Sequence, residues 1–223
     1  ELERIDAASR AADERGPREL SAEERAEAMA ILRQKRLLDR LAEALETCFG
    51  YVSEPENKRL ALLVSASRLL EKPVSAIIRG PAASGKSALI LAVSRLVSPW
   101  EVLYFSRMTA QSLYFLPRDQ LAHKLLVCDE YEGLEDSEYA LRTMMSNQTL
   151  SLAITVREGG RVPVTRTVEI PATVAVLVST TRQINVENLS RFIEMRLDTS
   201  GEQTRRVLAS LAAAEGQSFG RTR

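Results

Sequence analysis

Residues 80–87 read Gly80-Pro-Ala-Ala-Ser-Gly85-Lys86-Ser87 and match the pattern G-x-x-x-x-G-K-[ST] at every fixed position. A short apolar run from Val74 to Arg79 precedes this stretch and predicts a strand, and the residues from Lys86 to Val97 predict a helix. Glycines allow the main chain to wrap closely around phosphate, and the N–H groups of a helix N-terminus attract the anion. The stretch therefore predicts a phosphate-binding loop between a strand and a helix.

Two side chains of this loop are expected to bind different groups. The Lys86 ammonium would reach the terminal phosphates, and the Ser87 hydroxyl would bind Mg²⁺. The alternative is a glycine-rich turn that binds nothing. The residues expected to bind nucleotide are Gly80, Pro81, Ala82, Ala83, Ser84, Gly85, Lys86, Ser87 and Ala88.

A pair of acidic residues, Asp129 and Glu130, follows a later apolar run from Leu125 to Cys128, which predicts a buried strand. A nucleoside triphosphatase needs a carboxylate here to orient Mg²⁺ through its water shell, and a base to polarise the attacking water. We assign the first role to Asp129, as a metal-binding residue, and the second to Glu130. The alternative is that the pair caps the next helix.

Hydroxyl groups follow the predicted strand Thr173 to Ser179. If this strand lies between the strands that precede Gly80 and Asp129, then Thr180 or Thr181 would hydrogen-bond the attacking water or the γ-phosphate, with Arg182 as a further candidate. Threonines are also common at helix caps and turns, which is the alternative.

A β-hairpin is predicted just before that strand. Apolar residues alternate from Leu150 to Val156 and again from Val162 to Ile170, around a Gly159-Gly160 turn. The tip carries Arg157 and Arg161, which would either contact a nucleic-acid backbone or form a solvated hairpin end.

Composition limits the class of protein more than its function. The chain has 223 residues, of which 45% are hydrophobic and 27% charged, as in soluble globular proteins. Lys+Arg and Asp+Glu are both 30, so whole-chain charge gives no sign of a nucleic-acid partner. No apolar run is long enough for a membrane span, and nothing resembles a signal peptide, so we expect no membrane partner and a cytoplasmic location. Because the chain opens on Glu1, we interpret it as part of a longer polypeptide.

Short apolar runs alternate with helical stretches, which predicts an α/β fold with a five-stranded parallel sheet. We divide the chain into an N-terminal helical arm (1–49), an ATPase core with the start of a helical lid (50–214) and a tail (215–223). Two helices, Ser21 to Cys48 and Glu56 to Glu71, form a helical preface. The other predicted elements are strands Val74–Arg79, Val102–Phe105, Leu125–Cys128, Thr173–Ser179 and Phe192–Leu197, and helices Lys86–Val97, Thr109–Leu116, Asp136–Asn147 and Glu202–Ala214.

Taken together, these motifs resemble an AAA+ ATPase. The hairpin and the segment Asn188-Leu-Ser-Arg191-Phe192 resemble the minichromosome-maintenance branch of replicative helicases. The segments Arg107 to Leu116, His123-Lys-Leu-Leu and Gln203 to Arg205 are similar to the helicase portion of primase-helicase proteins of bacterial mobile elements and prophages. The resemblance covers about Gly50 to Leu208. Two features depart from it: Thr or Arg182 replaces the usual sensor asparagine, and the hairpin tip lacks a lysine.

The resemblance implies ATP and Mg²⁺ as cofactors and a homo-oligomeric ring, hexameric in this branch, that moves along single-stranded or forked DNA. It implies that Arg191 is an arginine finger acting on a neighbouring subunit, with a surface pairing to Glu187 or Glu194 as the alternative. Arg205 and Arg206 are candidates for a second phosphate sensor, and a linked primase domain would lie outside this chain. The alternative function is an AAA+ protein remodeller or helicase loader that uses ATP as a switch.

Overall fold

The computed structural model of the chain describes residues 19–106, 108–109, 112–116, 120–131, 137–156, 164–182, 184 and 186–220. Its strands are β1 (Ser75–Arg79), β2 (Val102–Phe105), β3 (Lys124–Cys128), β4 (Thr149–Val156), β5 (Val164–Pro171), β6 (Val174–Thr180) and β7 (Phe192–Arg196). Its α-helices are α1 (Ala22–Leu32), α2 (Leu37–Thr47), α3 (Pro55–Ser67), α4 (Lys86–Ser94), α5 (Glu138–Asn147), α6 (Val186–Leu189) and α7 (Gly201–Gly220). Two 3₁₀ turns lie at Pro99–Glu101 and Ser112–Phe115.

The protein is an α/β fold built on a five-stranded parallel sheet with the order β2-β3-β6-β1-β7. The five predicted strands are confirmed, each within one residue at either end. Strand β6 pairs with both β3 and β1, so the condition set for the roles of Thr180 and Thr181 is met. The carboxyl ends of β1, β3 and β6 therefore meet at one edge, where ligands bind in open parallel sheets.

Each face of the sheet is covered by its own core, because strand side chains alternate between faces. The α4-side core packs helices α2, α3 and α4 on one face, with residues such as Leu45, Leu62, Leu89, Ile78 and Val127. The α5-side core packs α5 and the base of the β4-β5 hairpin on the other, with residues such as Ile77, Leu126, Leu141, Leu150 and Val178. Each fully buried leucine or isoleucine stabilises the fold by about 1.5–3 kcal/mol.

The predicted single helix from Ser21 to Cys48 is wrong in one respect, since the structure divides it into α1 and α2. The capping box of Ser21 and Glu24 is present, with reciprocal bonds of 2.9 and 3.1 Å. The break occurs because Arg36 adopts a left-handed conformation (φ 58°), which an α-helix cannot contain. Helix α1 buries no residue, and Ile31 is 47% exposed rather than facing the core.

The predicted helix from Glu56 to Glu71 ends earlier, at Ser67. The Ser67 hydroxyl donates to the Val64 carbonyl (2.7 Å) and accepts from the Val74 N–H (2.9 Å), which turns the chain into β1. The spacing of Leu60, Leu63, Val64 and Leu70 predicts one buried apolar face on this helix, which is wrong at Leu63 and Leu70 because both are exposed.

Three further boundaries differ from the prediction. Helix α4 ends at Ser94 instead of Val97, and the segment predicted as a helix from Thr109 to Leu116 is a 3₁₀ turn over its described part. Helix α7 extends to Gly220, so that residues 215–220 of the predicted tail are helical. No helix in the described part of the chain is both long and apolar enough to cross a membrane.

The predicted hairpin is confirmed as an antiparallel pair with Thr149 opposite Pro171 and Val156 opposite Val164. Its base is fixed by Leu150 and Ile170, which are buried in the α5-side core. The tip, with Arg157, Gly159-Gly160 and Arg161, lies outside the described residues.

Candidate functional site

The loop from Gly80 to Gly85 leaves the central strand β1 at the carboxyl edge of the sheet and leads directly into α4. Its main chain adopts left-handed conformations at Ala83 (φ 59°) and Gly85 (φ 91°). Glycine adopts such a conformation without strain, which explains the glycine at position 85. A Cβ atom at Gly80 would lie 2.8 Å from the Ser84 hydroxyl, so a larger residue there would displace the Ser84 side chain. Successive N–H groups in such a turn form an anion-binding concavity.

The Lys86 ammonium is held inside this loop. It donates to the main-chain carbonyls of Gly80 (2.9 Å) and Pro81 (2.6 Å), and the residue is only 7% exposed. Ser87 and Ala88, at the start of α4, are exposed. The first N–H groups of a helix have no partner within the helix, so this end can bind an anion next to the lysine.

The Ser84 side chain provides a test of whether the loop fits a polar ligand. Its hydroxyl oxygen is buried and has no hydrogen-bond partner among the described residues. A buried polar group without a partner costs about 1–3 kcal/mol. A phosphate oxygen would satisfy this hydroxyl, and the loop therefore fits the group that its sequence predicts.

Asp129 is fixed from both neighbouring strands. The Ser179 hydroxyl of β6 donates to its main-chain carbonyl, and the Tyr104 hydroxyl of β2 donates to its carboxylate. Burial, and then this carboxylate, raise the pKa of Tyr104 above its ordinary value, so the phenol remains a donor at neutral pH. Since Val127 belongs to the α4-side core, the alternation of side chains places Asp129 on the face of the sheet that carries α4.

Glu130 and the hydroxyl residues lie at the same edge. Glu130 is exposed, and its main-chain carbonyl accepts a hydrogen bond from the Cys128 thiol (3.1 Å). Thr180 is 1% exposed and its side-chain oxygen accepts from the Arg182 N–H (3.0 Å), whereas Thr181 is exposed. The fold thus brings the loop, Asp129, Glu130 and Thr181 to one edge of the sheet, whereas the Thr180 side chain faces the side opposite to α4.

Arg191 lies at the opposite edge. It directly precedes β7, whose first residue Phe192 pairs with Ser75 at the amino end of β1, whereas Gly80 follows the carboxyl end. The two edges are about 13 Å apart along a strand of this length. Arg191 donates to the Ser146 hydroxyl (3.2 Å) and to the main-chain carbonyl of Glu187 (2.7 Å).

The other predicted site residues are not brought to the loop. Arg205 donates to the Gly201 carbonyl of its own helix (3.1 Å), and Arg206 pairs with Glu202. His123, which the sequence indicates is structural because no metal-ligating cluster surrounds it, donates its Nδ1–H to the Arg68 carbonyl (2.8 Å). The predicted nucleic-acid contacts Arg157 and Arg161 lie outside the described residues.

Two groups of residues at this edge of the sheet were not predicted as site residues. The apolar run around Tyr104 predicts a core aromatic, and in the structure its hydroxyl also contacts Asp129. Arg79 and Arg196 line a cleft of about 390 Å³ that also borders Gly80 and Pro81. The arginine directly before Gly80 was the available signal, because a charged residue at the carboxyl end of a buried parallel strand points to a ligand site.

In comparisons with protein-family models and with curated proteins, the chain matched none.

Proposed function

We propose that this chain binds and hydrolyses ATP, with a P-loop of the AAA+ type as its catalytic core. The observation that carries the proposal is the arrangement at one edge of the sheet: the loop with its enclosed Lys86 and the fixed carboxylate of Asp129. Both lie on the face that carries α4. A glycine-rich loop, a lysine and a carboxylate in this arrangement suit a magnesium-bound triphosphate.

The chain's own residues have distinct parts in this reaction. Lys86 and the N-terminus of α4 hold the phosphates, Ser87 and Asp129 hold the metal, and bound Mg²⁺ would neutralise phosphate charge. Glu130 accepts the proton of the attacking water, and Thr181 orients that water by hydrogen bonding, since Thr180 faces away from Asp129.

The position of Arg191 supports an assembly of several copies. An arginine at the amino edge of the sheet cannot reach a phosphate bound by its own loop at the carboxyl edge. If Arg191 acts on phosphate, it does so in a neighbouring subunit, and a closed ring satisfies every such interface equally. We therefore propose a homo-oligomeric ring, hexameric by resemblance.

DNA is the proposed partner of this ring, which would serve as the helicase module of a mobile-element primase-helicase protein. Support comes from the sequence of the hairpin tip and from the base of the hairpin, which is buried in the α5-side core. Arginines at such a tip bind phosphate without reading base sequence, as a translocating motor requires.

Two substitutions test the catalytic proposal. Lys86→Ala should abolish nucleotide binding, because it removes the charge that holds the phosphates. Glu130→Gln should keep binding and reduce turnover by about 10² to 10⁴, because it removes only the base. Binding would be measured with a fluorescent ATP analogue and turnover by phosphate release. Unimpaired hydrolysis in both variants would remove the assignment.

Turnover should also be measured against protein concentration, with and without single-stranded DNA. A rise in specific activity with concentration, and stimulation by DNA, are expected for a ring helicase. Stimulation by a protein partner alone would favour the remodeller or helicase loader.

A further inference from the structure

The carboxyl edge of the sheet ends in a row of three polar side chains on adjacent strands. In the strand register, Arg79 of β1 lies opposite Thr180 of β6 on one side and opposite Arg196 of β7 on the other. Residues in register point to the same face, and Ile77 and Val178, two positions earlier, belong to the α5-side core. This terminal row therefore faces away from α4 and from Asp129.

The row brings two positive charges into direct opposition, which destabilises a sheet unless the charges are compensated. Glu194 supplies one compensating carboxylate: it accepts from Arg79 (3.0 Å) and from Arg196 (2.6 Å). The hydrogen bond from Arg196 is the largest cause that holds the pKa of Glu194 below its ordinary value. Each guanidinium has about five N–H donors, so one carboxylate leaves most of them available to a ligand.

Structural stabilisation explains the half-buried pair of Arg79 and Glu194, but not the addition of Arg196. The Arg196 side chain is 78% exposed, and ion pairs of exposed arginines contribute little to stability. The guanidinium groups instead border a cleft of about 390 Å³ between the terminal row and the start of the loop at Gly80 and Pro81. Thr199, which lines the same cleft, adds a hydroxyl group that can donate to an anion.

We propose that Arg79 and Arg196 form a second anion site, which binds a phosphate group beside the loop but on the opposite face of the sheet. Its ligand is either free phosphate or the terminal phosphate of a nucleotide held by the adjacent loop. Glu194 competes with the anion for both guanidinium groups and so keeps the site weak and reversible. The site itself requires no hydrolysis by the loop, and its test is independent of turnover.

The test measures inorganic phosphate binding by calorimetry in a Lys86→Ala background, which removes the lysine of the loop. Replacing both arginines, as Arg79→Gln with Arg196→Gln, should weaken phosphate binding about tenfold. Glu194→Gln should strengthen it severalfold, because the competing carboxylate becomes neutral while the side chain keeps its size. Opposite changes in these two variants are not expected for a structural ion pair.

Arg59 and Asp39 provide a matched control. They form an ion pair (2.7 Å) between α3 and α2, and their exposure is similar to that of Arg79 and Glu194. Arg59→Gln and Asp39→Asn should leave phosphate binding unchanged. If the double arginine variant does not fold, the phosphate affinities of the single Arg196→Gln and Glu194→Gln variants are measured instead. Lower thermal stability with unchanged phosphate affinity in both would overturn the proposal and leave a purely structural triad.

A non-hydrolysable ATP analogue distinguishes the two sources of phosphate in the otherwise unaltered protein. If the analogue excludes inorganic phosphate from the site that depends on Arg196, the site accepts the terminal phosphate of the nucleotide. If both bind together, the site accepts free phosphate. Either result supports the anion site. If replacing Arg196 changes phosphate binding neither with nor without the analogue, the proposal is overturned.

Discussion

At the scale of single residues, the best defined feature is the way Asp129 is held. Its carbonyl and its carboxylate are bonded by hydroxyl groups from different strands, Ser179 and Tyr104. A carboxylate that already accepts one hydrogen bond has a restricted orientation, and its second oxygen remains available to a metal-bound water. Tyr104 is therefore expected to act as a positioning residue for the proposed magnesium site.

Replacing Tyr104 with Phe tests this role, because it removes the hydroxyl and keeps the ring that packs against the α4-side core. The magnesium concentration needed for half-maximal binding of an ATP analogue should rise about tenfold, while nucleotide binding without magnesium should stay unchanged. Calorimetric titration with Mg²⁺ in the presence of the analogue measures the shift.

Tyr139→Phe is the matched control for that measurement, since Tyr139 is 71% exposed and lies on α5. It should leave the magnesium dependence unaltered. If Tyr104→Phe and Tyr139→Phe gave the same magnesium titration, the positioning role of the Tyr104 hydroxyl would be disproved.

At the scale of elements, the hairpin combines a buried base with a tip that the sequence makes basic. Leu150 and Ile170 face each other in register and are both buried, which anchors the hairpin to the α5-side core. The loop and α4 depend on the opposite core. Changes at the hairpin tip should therefore affect a polymer partner without disturbing nucleotide binding.

Replacing Arg157 and Arg161 together with alanine should weaken DNA binding uniformly across sequences, because arginines that bind phosphate read no base information. The salt slope of binding should fall by about 0.7 for each phosphate of a single strand that the variant no longer neutralises. Fluorescence anisotropy at several salt concentrations measures both quantities, with basal ATPase activity as the control. DNA affinity and salt slope that equal those of the parent protein would contradict the role of the hairpin.

At the scale of the whole molecule, the two edges of the sheet have different chemistry. The carboxyl edge carries the loop and the acidic residues, and the amino edge carries Arg191. One copy of such a molecule presents the proposed nucleotide site on one side and an arginine on the other. This asymmetry suits a head-to-tail interface, which closes into a ring when the rotation between copies permits.

Arg191→Ala tests whether the arginine acts across such an interface. The variant should bind ATP normally and lose about 10³ in turnover, because the guanidinium stabilises charge only in the transition state. Mixing it with Lys86→Ala subunits should restore part of the activity, since some interfaces then join an intact loop to an intact arginine. Sedimentation would first establish that each variant assembles; mixtures as inactive as the separate variants would argue against a trans role.

The sequence by itself determined the features that depend on contiguous residues. The pattern from Gly80 to Ser87 specifies its own turn and helix start, because glycine conformations and helix N-termini are local properties of the chain. The alternation of apolar runs likewise predicted the five strands of the parallel sheet, because short apolar runs separated by helical stretches are typical of this layered fold. The hairpin pairing followed from its period of two.

Only the tertiary structure decided which side chains from distant segments meet. The bond between Tyr104 and Asp129, and the row formed by Arg79, Thr180 and Arg196, depend on strand register, which is set by burial on both faces of the sheet. The break at Arg36 likewise allows α2, but not α1, to pack against the core. Such contacts join residues far apart in the chain, and no local pattern encodes them, because their energy comes from packing the whole domain.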